Sequence, residues 1–211
     1  MNVAVCVPHR PSHPDRIANF ARVRRAWDEM GIPVYTGDCE GDWKRAHAVN
    51  AAVAQAGEAD VLLISDSDIL LGAPVIQTVA ACKAAFSGNA YVVAFTTLVY
   101  LDAKGSEFWR QSLIWGGVFA IPRTLYDEVG GFDERFRGYG AEDKGFLVCA
   151  STLGGTKQRM SGYAYHLDHP EDPLRTSEAT KRGNRLADRY IDYDGDEVAI
   201  RAMLAEREGG I

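Results

Sequence analysis

The stretch Ala59-Asp-Val-Leu-Leu-Ile-Ser-Asp-Ser-Asp68 ends an apolar run on two carboxylates, Asp66 and Asp68, spaced by one residue. Hard divalent cations such as Mg²⁺ or Mn²⁺ prefer carboxylate oxygens and often share their coordination with substrate phosphates. Val61 to Ile64 is short, apolar and entered from Asp60, the pattern of a central strand covered on both faces. The pair then falls at the strand's carboxyl end, where open α/β sheets bind ligands. A capped turn competes with this, since Asp and Ser are common wherever a strand gives way to a loop, and for an isolated Asp-x-Asp it is the stronger explanation. The rest of the chain must decide.

The surrounding elements follow from periodicity and breakers. Val3 to Val7 reads as a first strand, ended by Pro8-His-Arg-Pro-Ser-His-Pro14, whose three prolines cannot continue a ladder. Ile17, Phe20, Val23 and Trp27 recur at helical spacing and Gly31 stops that helix, before a strand from Ile32 to Tyr35. Asp42 is placed to cap a helix through Val53, which Gly57 ends before the strand leading to Asp66. A β-α-β-α-β series with parallel strands results. Pro74 suits the first turn of a helix to Ala85, and Ala90 to Thr97 is β-branched and aromatic enough for another strand. Ser112 to Ile121 is extended, Pro122 to Val129 a short helix ended by Gly130-Gly131, and Lys144 to Leu153 another helix opened by Glu142 and Asp143. Carboxylates in a first turn suit the positive end of a helix dipole, which alone explains that pair. Two short extended pieces follow, around 157–160 and 163–167, and the charged tail from Glu171 is expected to be helical.

Six segments stand out in order: Pro8-His-Arg10, Trp43-Lys-Arg-Ala-His-Ala-Val-Asn50, Ser65-Asp-Ser-Asp68, Trp115-Gly-Gly-Val118, Gly138-Tyr-Gly-Ala-Glu-Asp143 and Tyr165-His-Leu-Asp-His169. Each lies at a predicted strand end or loop. Together they resemble the motif series of the GT-A nucleotide-sugar glycosyltransferases, most closely the β-1,4-galactosyltransferase-like members and the galactosyltransferase-type segment of family 2 and polypeptide N-acetylgalactosaminyltransferases. The resemblance runs from Val3 to about His169. It implies an α/β, Rossmann-like GT-A fold of three layers with a mixed, mainly parallel central sheet. It also implies metal-dependent transfer of a sugar from a nucleotide-diphosphate sugar, UDP by preference, to a hydroxyl acceptor with inversion.

The same resemblance distributes roles. Pro8, His9 and Arg10 would hold base and ribose; Arg45 and Asn50 would lie beside the nucleotide, with Arg45 near the pyrophosphate or base. Asp68 would bind the metal directly, Asp66 would contact ribose or reach the metal through water, and Ser67 would face the donor between them. His166 matches the family's metal-binding histidine, with His169 the less favoured candidate. A carboxylate and imidazole set suits Mn²⁺ better than Mg²⁺. The family's methionine ligand three residues earlier is here Tyr163, a departure that leaves the metal's surroundings incomplete. Trp115, Gly116 and Gly117 would lie under the donor sugar, Asp143 would be the general base, Glu142 would orient the acceptor, and Tyr139 would give it an aromatic platform.

Structural explanations stand beside these for several residues: a solvated surface charge for Arg10, backbone satisfaction for Asn50, and turn geometry for Gly130 and Gly131. At 211 residues, 46% apolar and 25% charged, the chain is ordinary globular material. One domain, 1–211, is expected, with a donor half over 1–100, an acceptor half over 101–170 and a helical tail over 171–211. The net charge of −6 makes nucleic acid, including a modified DNA base, the least favoured acceptor beside protein, glycan or small molecule. Four scattered cysteines have neither zinc nor disulfide-scaffold spacing, and no run suggests a leader or membrane span. A cytoplasmic enzyme of compact bacterial or bacteriophage type is expected. The rival readings are a metal-dependent nucleotidyltransferase, against which the proline-rich first loop argues, and a non-catalytic sugar-nucleotide or glycan-binding module.

Overall fold

The computed structural model describes residues 1–138, 140–170 and 176–208. A six-stranded sheet forms the centre, in the order β2-β1-β3-β8-β5-β9, built from β1 (Val3–Pro8), β2 (Val34–Gly37), β3 (Val61–Ser65), β5 (Ala90–Val93), β8 (Val118–Pro122) and β9 (Gly155–Arg159). β1 pairs in parallel with both β2 and β3, and β5 with β9, while β8 runs antiparallel between β3 and β5. The central sheet is therefore mixed with a parallel majority, as expected. Every residue of β3, β5 and β8 is buried, which accounts for their continuous apolar runs.

Helices α1 (Pro14–Glu29), α2 (Arg45–Gln55), α3 (Pro74–Gly88), α4 (Arg123–Val129) and α5 (Glu142–Leu153) flank this sheet. Helix α1 buries Val23 and Trp27, the spacing read from the sequence. The tail forms α6 (Glu178–Asp192) and α7 (Glu197–Glu208), and Tyr190, Ile200 and Met203 join the common core.

Two expectations need correction. Asp42 does not cap α2: the helix starts at Arg45 with Lys44 at its N-cap and no side-chain cap, and the Lys44 N–H donates to Cys39 Sγ at 3.2 Å. Arg10 organises that loop, donating to Asp38 Oδ1 (2.8 Å), to Gly41 O (2.7 Å) and to the Cys39 carbonyl. The apolar stretch 90–97 is not one strand. It breaks after Val93, and the chain enters a second sheet of order β4-β10-β6-β7, made of β4 (Ile69–Leu71), β6 (Thr97–Leu101), β7 (Glu107–Ser112) and β10 (Tyr163–His166). The piece read as extended from Ser112 to Ile121 is likewise broken: Ser112 closes the β6–β7 hairpin, and β8 begins only at Val118. Among the described residues, no helix is long and apolar enough to cross a membrane.

Candidate active site

The Asp66-Ser67-Asp68 segment is the tight connection between β3 and β4, so its side chains leave the central sheet at a strand end. Antiparallel β8 lies alongside, with Ser65 opposite Val118, and the Asp66 N–H donates to Gly117 O at 2.8 Å. That pairing brings Trp115-Gly116-Gly117 against the carboxylates. A β-carbon on Gly116 would overlap Asp143 Oδ2, and Gly117, at φ +90°, would place one 2.9 Å from Ile69 Cδ1. Only glycines allow this approach. Helix α5 contributes Glu142 and Asp143 from its first two positions, behind Ala141, which holds a left-handed φ of +74°. A non-glycine residue so placed is strained, and such strain concentrates at functional sites.

Arg45, the first residue of α2, joins these parts. Its guanidinium lies 2.5 Å from Asp66 Oδ1, 2.8 Å from Asp143 Oδ1 and 3.2 Å from Glu142 Oε1. One cation therefore faces three carboxylates, one from the β3–β4 connection and two from α5. Burial alone would lower the Arg45 pKa, but Asp143, Asp66 and Glu142 outweigh it and keep the group charged. Asp143 has the opposite balance: burial lifts its pKa from 3.8 to about 7, with Glu142 and Asp66 adding to the rise and Arg45 opposing it. Burial also raises Asp66, against the pull of Arg45.

A second cluster gathers around Asp68. His169 Nε2 stands 3.0 Å and His166 Nε2 4.0 Å from its carboxylate oxygens, and the three residues present ligand atoms within 4.8 Å of one another. His169 Nδ1 sits 2.8 Å from Pro170 O, so its N–H donates there and leaves Nε2 directed at Asp68. Helix α1 fixes the segment, with Asn19 Nδ2 donating to Asp168 O (2.9 Å) and Arg16 to Pro170 O (3.3 Å). His166 is steadied by the Tyr100 ring, stacked at 4.9 Å. Burial tends to raise the Asp68 pKa, but the His169 hydrogen bond and the charges of His166, His169 and Arg16 outweigh it and hold the carboxylate below its usual range. The bond to Asp68 correspondingly raises His169. One carboxylate and two imidazoles, oriented by groups behind them, form a donor set that fits a divalent ion such as Mn²⁺.

Both clusters line one cleft of about 220 Å³, together with Pro8, Arg16, Trp43 and Ser67. Other residues singled out from the sequence lie elsewhere. Arg10 is engaged with the 38–41 loop and sits 5.3 Å from the Trp43 ring, while His9 stacks on Phe20 at 4.1 Å. Asn50 is wholly occupied: Oδ1 accepts from Tyr126 Oη (2.7 Å) and the Phe132 N–H (2.9 Å), and Nδ2 donates to Phe132 O and Glu134. Tyr163 is half-exposed and three residues from His166 in a strand, so its side chain leaves the opposite face; His169 occupies the cluster instead. Asp66 is turned to Arg45 and stands outside the cluster. Tyr139 lies outside the described residues. Sequence reasoning missed Arg16 and gave no role to Trp43, which opens one of the six segments. For Arg16 a signal existed, a cation in the first turn of a helix, where the dipole disfavours it.

Solved structures with this architecture are GT-A glycosyltransferases. One is Staphylococcus aureus TarS 1-349 (16% identity, TM-score 0.59, covering 98% of this chain and 70% of that one). Another is a mutant of Drosophila β1,4-galactosyltransferase 7 in complex with manganese, UDP-Gal and xylobiose (15%, 0.54, 85% and 79%). A third is the mannosyltransferase PcManGT of Pyrobaculum calidifontis with GDP-Man and Mn²⁺ (16%, 0.53, 100% and 76%). At such identities the likeness defines the fold, and that fold is GT-A. Within it, residues 105–170 match the family described as the N-terminal domain of galactosyltransferase. No curated protein matches the chain.

Proposed function

We propose that the protein is a metal-dependent glycosyltransferase that moves a sugar from a nucleotide-diphosphate sugar, with UDP the preferred nucleotide, to a hydroxyl acceptor with inversion. The observation that carries this reading is the meeting, in one cleft, of the Asp68-His166-His169 cluster with the Asp143-Glu142 pair. Such a cleft is too acidic to receive a diphosphate unaided: Asp66, Asp68, Glu142 and Asp143 line it against Arg16 and Arg45. Asp68, His166 and His169 would hold Mn²⁺, which when bound neutralises charge on the diphosphate leaving group. The neighbours solved with manganese or Mn²⁺ and a nucleotide sugar support this choice.

The chain's own residues supply the rest. Gly116 and Gly117 leave room for the donor sugar against β8, and Arg16 and Trp43 border the nucleotide side of the cleft. Asp143 takes the acceptor hydroxyl proton as that oxygen bonds to the anomeric carbon from the face opposite the leaving diphosphate. A carboxylate poised near neutrality is suited to this work, because it is both deprotonated and basic enough at working pH. Arg45 opposes the rise of the Asp143 and Asp66 pKa values and orients Asp143. On this reading residues 1–100 carry the nucleotide side, residues 101–170 carry the acceptor and the chemistry and add Gly116, Gly117, His166 and His169 to the donor side, and the tail buttresses α5. All four cysteines are free, which suits a cytoplasmic location.

The test is Asp143→Asn, assayed for nucleotide release and for donor binding by calorimetry with Mn²⁺. Transfer should fall at least ~10²-fold with donor affinity retained. Undiminished turnover sinks the base assignment. Donor binding indifferent to Mn²⁺ sinks the metal site.

A further inference from the structure

Beyond His166, the second sheet carries a row of side chains that the chemistry above does not use. Register aligns Ile69 of β4, His166 of β10, Tyr100 of β6 and Trp109 of β7 across all four strands. Residues so aligned share one face. The rings follow one another at strand spacing, His166 to Tyr100 at 4.9 Å and Tyr100 to Trp109 at 4.7 Å, starting from a residue of the metal cluster. A register shift between Tyr100 and Leu101 leaves Phe108 as the extra residue of β7. Regular alternation would send Phe108 to the far face, yet it lines the same cavity as Trp109 and lies 6.4 Å from Tyr100. A bulge that re-aims a side chain beside a catalytic centre is a designed feature.

This face is open. Trp109 is 51% and Phe108 65% exposed, on a strand that buries nothing. It is also continuous with the catalytic residues, since one cavity of about 670 Å³ runs from Phe108 and Trp109 past Gln111 and Lys144 to Gly116 and Asp143. Aromatic faces with a few polar groups between them match sugar rings, whose C–H faces are apolar and whose rims carry hydroxyls. An extended peptide added to the β7 edge fits less well, because the bulge and the Glu107–Arg110 ion pair (2.7 Å) blunt that edge.

We propose that this face is the floor of an acceptor subsite for saccharides of two or more rings, with Tyr100 under the unit nearest Asp143 and with Trp109 and Phe108 under the next. The inference rests on the glycosyltransferase reading and narrows its acceptor to a glycan. The row from His166 to Trp109 spans two strand spacings, about 10 Å, room for on the order of two pyranose rings.

The test compares the full-length protein with Trp109→Ala and Phe108→Ala, loaded with Mn²⁺, on a printed array of mono- and oligosaccharides. Nucleotide release from a panel of UDP-sugars is measured in parallel without acceptor. Both substitutions remove exposed side chains, so folding is preserved. The wild type should retain saccharides of two or more rings in preference to single sugars, each variant should lose about tenfold or more of that binding, and nucleotide release should stay within about twofold. Absence of saccharide binding, binding of single sugars with equal strength, or variants that bind as wild type would overturn the proposal, as would transfer to peptide hydroxyls alone. Wild-type protein that releases no nucleotide overturns the glycosyltransferase reading instead, while the array still decides the floor.

Discussion

Gly116→Ala is the sharpest probe of the site, because it adds one methyl group to a position with no unusual backbone requirement. Gly116 does not occupy a left-handed conformation, so the substitution introduces no backbone strain of its own. Its cost arises from what the new β-carbon meets, which is the Asp143 carboxylate at Oδ2, Cγ and Cβ. The carboxylate must retreat by about 1 Å to reach van der Waals separation, and Arg45, bonded to Asp143 Oδ1 at 2.8 Å, must follow or let go. A misplacement of that size costs catalysis on the order of 10²-fold. Overpacking a well-filled site costs about 1–3 kcal/mol, and a chain of this length loses roughly 2–4 °C in Tm per kcal/mol. Single-turnover nucleotide release should therefore slow by about 10²-fold, donor affinity with Mn²⁺ should hold, and Tm should fall by several degrees. In an Asp143→Asn background the methyl should add almost nothing to the kinetic loss, because both changes act on one group. Turnover within about threefold of wild type, or full additivity of the two changes, would refute the reasoning.

The remaining predictions concern pH, metal and the tail. With Asp143 at about 7, kcat/KM should rise with pH up to that value and level off above it; Asp143→Asn should lack this limb, and a flat wild-type profile from pH 5 to 8 counts against the base. The same shift acts on stability: a carboxyl raised in the folded state favours folding fully below about 4 and loses that contribution as pH rises through about 7. Thermal melts should thus show Asp143→Asn gaining on wild type between pH 5 and pH 8; a constant difference would contradict the sign. His169→Ala should weaken Mn²⁺ binding by about 10–100-fold in calorimetry, whereas Asp66→Asn should change it far less, and the reverse order would return Asp66 to the metal. Tyr190→Phe removes a 2.8 Å hydrogen bond to buried Asp133 and should cost about 1–3 kcal/mol in urea melts; no change would mean that Arg135 and Arg207 suffice.

The first half of the chain was legible because its elements are regular. The continuous runs of β1 and β3 buried what they promised, and the apolar spacing of α1 did so at Val23 and Trp27, while Phe20 is only partly covered and Ile17 is exposed. The second half was harder because its short strands serve two sheets. Nothing local in Ala90 to Leu101 marks the change of sheet, which is made by Thr96 Oγ1 and the Thr96 N–H donating to Gly162 O, a partner 66 residues away. Two local readings yielded to tertiary ones in the same way. Asp42 has the chemistry of a cap, yet Arg10 ties up the loop before it and Cys39 takes the Lys44 N–H. Tyr163 holds the sequence position of a ligand, yet strand alternation turns it from the His166 face, and the residue oriented toward Asp68 is His169.

The Arg45 hub explains why the site holds together before any ligand arrives. Asp66 follows β3 directly and the Glu142-Asp143 pair opens α5, so the residues that would serve donor and acceptor come from parts far apart in the chain. Left alone, three carboxylates this close would raise one another's pKa and protonate in turn. One guanidinium opposes that rise and fixes their spacing: Nη1 donates to both Asp143 and Glu142, while Nε and Nη2 donate to Asp66, a fork that a lysine's single point charge would not reproduce. Arg45→Lys should therefore keep much of the stability and lose the geometry. Its acid limb should shift to higher pH as Asp143 loses the guanidinium that opposes protonation, and its kcat should fall further than its donor affinity. A Lys variant with wild-type kcat and an unshifted profile would mean that charge alone, and not the fork, organises the carboxylates.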